Sequence, residues 1–293
     1  MNKLNVYLSS GWFSKSQDEI CTKLENYLKS KESINPYFPR HDGVKLEPGQ
    51  FHDPNLRKRV FLDNVENIDK ADFIVTNLDG REGFLDTGTV WEDGYAMAKG
   101  IPVIAYQDKG GKLEELIGAV SKGFIKVCTG LDELDAVIDS MRPRYHEDKL
   151  IREHDGNKVL YISPDNTEEN VTKGVEVASV LVECYGKNFK WVDKLSSVDL
   201  SKVINTMFND VEYMVAVIDD RHPVVSWMMG QAFARNIPVV SYTNYDHGVN
   251  IMLLCSILTH VKGIDNLKEV IQSIKREGIN SLDDFDSSGI KAF

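Results

Sequence analysis

The sequence predicts an α/β protein of two tandem doubly wound parallel-sheet domains, flavodoxin- or Rossmann-like, paired within one chain as a pseudo-dimer. Three observations carry this reading. Short apolar runs alternate with segments of helical length and period. That alternation occurs twice, on either side of a charged stretch at residues 142–158 that has no apolar period. And Trp227–Tyr242 aligns without gaps on Trp91–Tyr106, with Trp, Gly, two Ala, Ile-Pro-Val and Tyr coinciding. That agreement exceeds what one generic amphipathic helix gives, and it reads as an internal duplication. The expected domains are residues 1–150 and 158–293.

Taken in order, Leu4–Ser9 reads as the first strand and Ser10-Gly11-Trp12-Phe13 as the loop after it. Ser14 to Ser30 is expected to be helical, with Ser14 or Ser16 as N-cap. Tyr37–Pro39 is a short extended piece. Arg40–Asp53, rich in Gly, Pro and His, is expected as a polar lid over a site. Asn55–Ala71 is a helix whose inward face carries Val60, Phe61, Asn64, Val65 and Ile68. Strands at 73–78 and 101–106 enclose a helix at 89–99. Helices at Lys112–Lys122 and Leu131–Met141 and a strand at Phe124–Val127 complete the first half. In the second half, strands are expected at 159–163 and 213–218 and a helix at Thr172–Tyr185.

The stretch Asp86-Thr-Gly-Thr-Val-Trp-Glu92-Asp-Gly-Tyr-Ala96 lies between two strands. Its loop therefore sits at the carboxyl end of a parallel strand, where open α/β sheets bind ligands. Thr89-x-x-Glu92 also reads as an ordinary capping box, with Asp86 a solvated loop acid. The two readings are compatible. A carboxylate in a first helical turn is held ionised by the helix dipole, and an ionised carboxylate in a cleft is a competent nucleophile toward an anomeric carbon. In the aligned second copy Glu92 becomes Met228 and Asp86 becomes His222, a scaffold without the carboxylates.

With 293 residues, 42% hydrophobic and 27% charged, the chain has the composition of a globular protein able to bury a large core. A net charge of −11 argues against nucleic acid or an anionic membrane as partner. Cys21, Cys128, Cys184 and Cys255 show no CxxC and are expected as reduced core thiols. The N-terminus has no signal-like apolar region and no run is long enough to span a bilayer, so a cytoplasmic location is expected. The dispersed histidines, His41 and His52 among them, have no metal-ligand spacing, and no cofactor is expected.

On these residues the first half resembles the nucleoside 2-deoxyribosyltransferases. The features that match are Tyr7 before Ser10-Gly11-Trp12-Phe13, the Asn64 helix position, the Asp86…Glu92 pair with Gly88 and Gly94, and Pro143-Arg144-Tyr145. The resemblance implies Glu92 as nucleophile, Tyr7 as the group that orients it and Asp86 as an acid that contacts the base. It implies a substrate site lined by Gly11, Trp12, Phe13, Asn64 and Gly88. Asn64 stands where many members have Asp. No glutamine accompanies His41-Asp42-Gly43, and Gln50 is the substitute on offer. Family subunits lend each other an Asn and a C-terminal carboxylate. In this chain the second half carries Gly248-Val249-Asn250-Ile251 and ends Ala292-Phe293, whereas the first half has Gly111-Lys112-Leu113 without an Asn. Asn250 and Phe293 are therefore expected at the Glu92 site, though Asn250 also reads as a helix cap. The partners implied are a 2′-deoxynucleoside and a free nucleobase, within an intrachain pseudo-dimer that leaves room for a higher homo-oligomer.

The expected reaction is transfer of 2-deoxyribose between nucleobases through a deoxyribosyl-glutamate. Two rivals remain open on the sequence. Water could take the same ester, giving hydrolysis of a deoxynucleoside or deoxynucleotide. A sensor that binds nucleosides or nucleotides without chemistry would suit the decayed second copy. Against a nucleotide, the first strand is followed by aromatic residues rather than a Gly/Ser/Arg phosphate cradle.

Overall fold

Runs such as Val6-Tyr7-Leu8-Ser9 and Phe73–Asn77, buried on both faces, can only be central strands of a sheet covered on both sides. The computed structural model describes residues 3–47, 49–80, 85–108, 123–144, 156–164, 167–192, 200–219, 222–245 and 248–282, and places them in two five-stranded parallel sheets. The first contains β1 (Leu4–Ser9), β2 (Ile34–Tyr37), β3 (Phe73–Asn77), β4 (Val103–Tyr106) and β5 (Phe124–Cys128), in the order β2-β1-β3-β4-β5. Its helices are α1 (Lys15–Ser30), α2 (Pro39–Asp42), α3 (Pro54–Lys70), α4 (Thr87–Ala98) and α5 (Leu131–Ser140). The second sheet contains β6 (Lys158–Ile162), β7 (Phe189–Val192), β8 (Val211–Val217), β9 (Val239–Thr243) and β10 (Thr259–Lys262). Its order, β7-β6-β8-β9-β10, is the same topology. Its helices are α6 (Glu168–Tyr185), α7 (Leu200–Met207), α8 (Pro223–Ala234), α9 (Ile251–Cys255) and α10 (Ile264–Glu277). The chain is thus doubly wound α/β twice over. In each sheet the strand order reverses beside the first strand, which opens a crevice at the carboxyl edge.

Helix starts follow local chemistry. Ser14 accepts from the Gln17 amide to cap α1, and Asp53 caps α3 ahead of Pro54. Three expectations are corrected. The Thr89–Glu92 capping box does not form, because Asp86 accepts from the Thr89 amide at 2.8 Å and is itself the cap. Helix α4 therefore starts at Thr87, and Glu92 stands in its second turn. Residues 39–42, expected as the end of an extended piece and the start of a loop, make a helical turn started by Pro39. Helix α6 begins four residues before Thr172 because Thr167 caps it. The expected helix at Lys112–Lys122 lies outside the described residues. The four cysteines are free thiols, three buried and Cys255 half-buried. Among the described residues, no helix is long and apolar enough to cross a membrane.

Three apolar clusters hold these layers together. One lies between the first sheet and α1 with α5, and one between the second sheet and α6 with α10. The largest joins the inner faces of both sheets and includes Trp91, Tyr95, Trp227, Met228 and Leu253. Its centre is the crossing of α4 and α8. A Cβ placed on Gly94 would stand 2.1 Å from the Trp227 carbonyl oxygen, and one on Gly230 would stand 2.1 Å from that of Trp91. These glycines are equivalent in the aligned repeat, so the contact is reciprocal, as across a twofold axis. Gln231 donates to the Gly94 carbonyl at 2.7 Å, and Phe233 packs its ring against Phe61, Trp91 and Tyr95. No side chain fits between the helices. Gly94→Ala or Gly230→Ala is expected to cost about 1–3 kcal/mol or more by overpacking. A fall in the denaturation midpoint of either variant checks this, and an unchanged midpoint contradicts it.

Candidate active site

The crevice at the carboxyl edge of the first sheet holds a cavity of about 400 Å³, a volume suited to a small ligand. Glu92 reaches its floor from α4 and is 5% exposed. Both carboxylate oxygens are held. The Tyr7 hydroxyl, from the inner face of β1, donates to Oε1 at 2.7 Å. The Ser9 hydroxyl, two residues on and on the same face, donates to Oε2 at 2.5 Å. The Asn64 amide, from α3, lies 3.4 Å from Oε1. Tyr7 is backed by Tyr37, stacked at 5.7 Å between ring centroids.

Burial pushes the Glu92 carboxyl up to about 7. The Ser9 and Tyr7 hydroxyls oppose that rise and the negative charge of Asp86 adds to it. This corrects the expectation that the helix dipole keeps Glu92 ionised. In the second turn, with water excluded, desolvation outweighs the dipole, which acts mainly over the first turn. Burial also holds the Tyr7 phenol protonated well above its ordinary range, with the neighbouring Glu92 charge adding to the effect, so it is a donor at any physiological pH. Activity that needs an ionised Glu92 is expected to rise with pH through about 7. A pH profile of kcat/KM checks this, and a flat profile between pH 5.5 and 8.5 contradicts it.

The other expected site residues are distributed around this carboxylate. Asp86 lines the cavity while capping α4, so its loop-acid and ligand-facing readings coincide. Gly88 and Asn64 line it too. Trp12 and Phe13, stacked at 5.3 Å, form an aromatic wall, with Phe13 half-exposed at the mouth. Gly11 is not in the wall. It packs behind Asp86, where a Cβ would stand 3.2 Å from the Asp86 Cβ. Gln50 is not in the wall either, and its side-chain oxygen accepts from the Glu47 amide to close a turn. Phe293 lies outside the described residues.

Asn250 enters from the second half. It caps α9, accepting from the Met252 amide at 2.9 Å, and its amide faces the cavity beside Gly88. A Cβ on Gly88 would stand 2.6 Å from both polar atoms of that amide. Met252 follows it into the wall, its sulfur 3.6 Å from the Asn64 amide nitrogen. Cap and cavity residue are therefore the same asparagine.

Sequence reasoning missed Ser9, whereas Arg40–Asp53, expected as a lid, supplies part of the cavity's lining. Val44, Leu46 and Phe51 close the cavity opposite Glu92. That segment is tied down by Glu25 of α1, a buried carboxylate that accepts from Arg40 Nε at 3.1 Å and Nη2 at 2.9 Å and meets His41 Nε2 at 2.9 Å. A charged Glu25 in an otherwise amphipathic helix was the available signal for that tie.

Among the described residues, the equivalent positions of the second half carry apolar side chains instead. Strand pairing sets Tyr7 opposite Ile74 and Leu160 opposite Met214, and Ser9 opposite Thr76 and Ile162 opposite Ala216. Ile74 and Met214 in turn pair with Val103 and Val239, which coincide in the aligned stretch. Tyr7, Ser9 and Glu92 thus correspond to Leu160, Ile162 and Met228, all buried in the shared core.

Fold and site together define a doubly wound α/β protein with one buried, hydroxyl-held carboxylate in an aromatic-walled crevice. The family model described as nucleoside 2-deoxyribosyltransferase matches residues 6–175, more than half of the sequence. The chain belongs to the nucleoside 2-deoxyribosyltransferase family. No curated protein matches the sequence. Among solved structures, it is similar to a 2-deoxyribosyltransferase from the psychrotolerant bacterium Bacillus psychrosaccharolyticus, at 22% identity and a TM-score of 0.40, over 48% of this chain and 99% of that one. It is also similar to a conserved protein from Enterococcus faecalis V583, at 22% identity and a TM-score of 0.36, over 47% of this chain and 98% of that one.

Proposed function

We propose that the chain transfers 2-deoxyribose between nucleobases through a covalent ester on Glu92. The observation that carries the reading is the Glu92 carboxylate, both oxygens held by hydroxyls, in a cavity lined by aromatic and aliphatic side chains together with the polar groups of Arg40, Lys45, Glu47, Asn64, Asp86 and Asn250. In the first step an oxygen of ionised Glu92 bonds to C1′ and the N-glycosidic bond breaks. Its electron pair leaves on the base nitrogen, which gains a proton with Asp86 as the hydrogen-bonding acid beside it. In the second step a nitrogen of the incoming base bonds to C1′ and gives up its proton to Asp86, replacing the one delivered to the leaving base, and the ester C–O bond returns its pair to Glu92. Two inversions give net retention.

Tyr7 fixes the attacking carboxylate. Trp12 and Phe13 wall the base, and Asn250 hydrogen-bonds the sugar near its 5′-hydroxyl. In this reading residues 1–150 are the catalytic domain, and residues 158–293 are a degenerate copy retained because it completes the pocket. Apart from Glu92 and Asp86, the residues proposed to act are uncharged, a setting for a sugar whose missing 2′-hydroxyl already eases formation of the oxocarbenium-like transition state.

The test is incubation with a 2′-deoxynucleoside and a different free base, followed by chromatography. The expected result is the exchanged nucleoside, with the matching ribonucleoside turned over far more slowly. Free base and deoxyribose alone would instead make the protein a hydrolase. No turnover of any deoxynucleoside would leave ligand binding as its function.

A further inference from the structure

Ser9 is wholly buried at the end of β1 and does not line the cavity, so it does not meet a ligand there. Its hydroxyl has two partners, Glu92 Oε2 at 2.5 Å and the Thr89 carbonyl oxygen of the same helix at 3.4 Å. One hydroxyl has one proton to give and can accept another. With Glu92 ionised, Ser9 donates to Oε2. With Glu92 neutral, the carboxyl proton lies toward Ser9, and Ser9 turns its own proton to the Thr89 carbonyl. Both protonation states are therefore satisfied without moving a heavy atom, in a place where an unsatisfied polar group would be costly.

Tyr7 offers no such choice, since its protonated phenol is only seen donating to Oε1. The counterpart of Ser9 in the second half is Ile162, where Met228 has replaced the carboxylate, so hydroxyl and carboxylate are present or absent together.

From this geometry we infer that Ser9 is a positioning residue of the displacement. It fixes the plane of the Glu92 carboxylate from the side opposite Tyr7 and supplies the donor that stabilises its ionised form. The inference rests on Glu92 being the nucleophile. The other ionisable groups around Glu92 are Tyr7 of β1, Tyr37 of β2, Asp63 of α3, and Asp86 and Asp93 of α4, with Arg40, Lys45 and Glu47 also on the cavity wall. Asp86 disfavours the charged carboxylate. Asp93 accepts from the Thr76 hydroxyl, and burial pushes its carboxyl up from the ordinary carboxylate range. Tyr37 gives its proton to Asp63 and none to Glu92. Ser9 and Tyr7 are thus the groups that favour ionisation.

The test is the pH profile of base exchange in Ser9→Ala, Ser9→Thr and, as a separate control, Glu92→Gln. In Ser9→Ala the acid limb of kcat/KM is expected to move up by about one pH unit. Below the midpoint the rate then falls about tenfold, and most of it returns at higher pH. Ser9→Thr, which keeps the hydroxyl, restores the midpoint. A role confined to packing would lower the rate equally at every pH. An unmoved limb in folded Ser9→Ala overturns the inference. If Ser9→Ala does not fold, Ser9→Gly carries the same comparison. Exchange that persists in Glu92→Gln would instead overturn the reading on which the inference rests, and the two failures are therefore distinguishable.

Discussion

Replacing Glu92 with alanine is expected to abolish base exchange, with a loss of at least about a thousandfold and the fold intact. The fold should survive because Glu92 does not cap α4. Asp86 does. Glu92→Gln should be as inactive, since a neutral amide cannot form the ester, and its effect on stability has a definite sign. Burial raises the Glu92 pKa from an ordinary 4.5 to about 7 in the folded protein. The folded state therefore holds this proton more tightly than the unfolded chain does. Stability from that proton is complete below about 4.5 and is lost as pH rises through 7. Glutamine removes that loss, and Ser9 can accept from its amide while donating to the Thr89 carbonyl. Glu92→Gln should match the parent protein near pH 5 and exceed it near pH 8. Thermal melts at the two pH values check this, and equal melting temperatures at pH 8 would contradict a buried, ionising Glu92.

A chain ending at residue 150 is expected to show no exchange at all. Two independent losses meet there. The face of α4 that carries Trp91, Gly94 and Tyr95 would lose α8 and be exposed to water, removing the largest apolar cluster. The cavity would also lose Asn250, Ile251 and Met252 from its wall. The second loss can be measured without the first. Asn250→Ala in the full chain should lower kcat/KM roughly ten- to hundredfold, the cost of one hydrogen bond made to the sugar in the transition state. Gly88→Ala should produce the same phenotype from the other side, because its methyl group would occupy the place of the Asn250 amide. Full activity in the isolated first half, or in Asn250→Ala, would remove the second domain from the site.

Much of this arrangement was legible in the sequence because it depends on local pattern. Strand, loop, helix and strand around Asp86–Glu92 form a unit whose geometry is fixed by its own periodicity. Asn250 was found through the family resemblance, in which subunits lend each other an asparagine. What could not be read there depends on residues far apart in the chain. The meaning of Ser9 lies with a carboxylate 83 residues away. The state of Glu92 follows from burial that only the packed sheet and helices supply. Local pattern pointed to Thr89 as the cap and to Asp86 as a loop acid, and the structure reverses this because the Asp86 side chain reaches the Thr89 amide. In the second half, β7, α7, β10 and α10 were not foreseen. The strands β7 and β10 have four residues each, too short a run to show a period.

The covalent ester on Glu92 is the central claim, and trapping it is the most direct measurement. A nucleoside carrying fluorine at C2′ slows both steps by destabilising the oxocarbenium-like transition state, so an ester formed from it should accumulate. Intact-mass analysis is expected to show one added fluorodeoxyribosyl group per chain, and peptide mapping to place it on Glu92. An added free base should then discharge it as a new nucleoside. An adduct on any other residue, or ordinary base exchange with no adduct under the same conditions, would contradict the account.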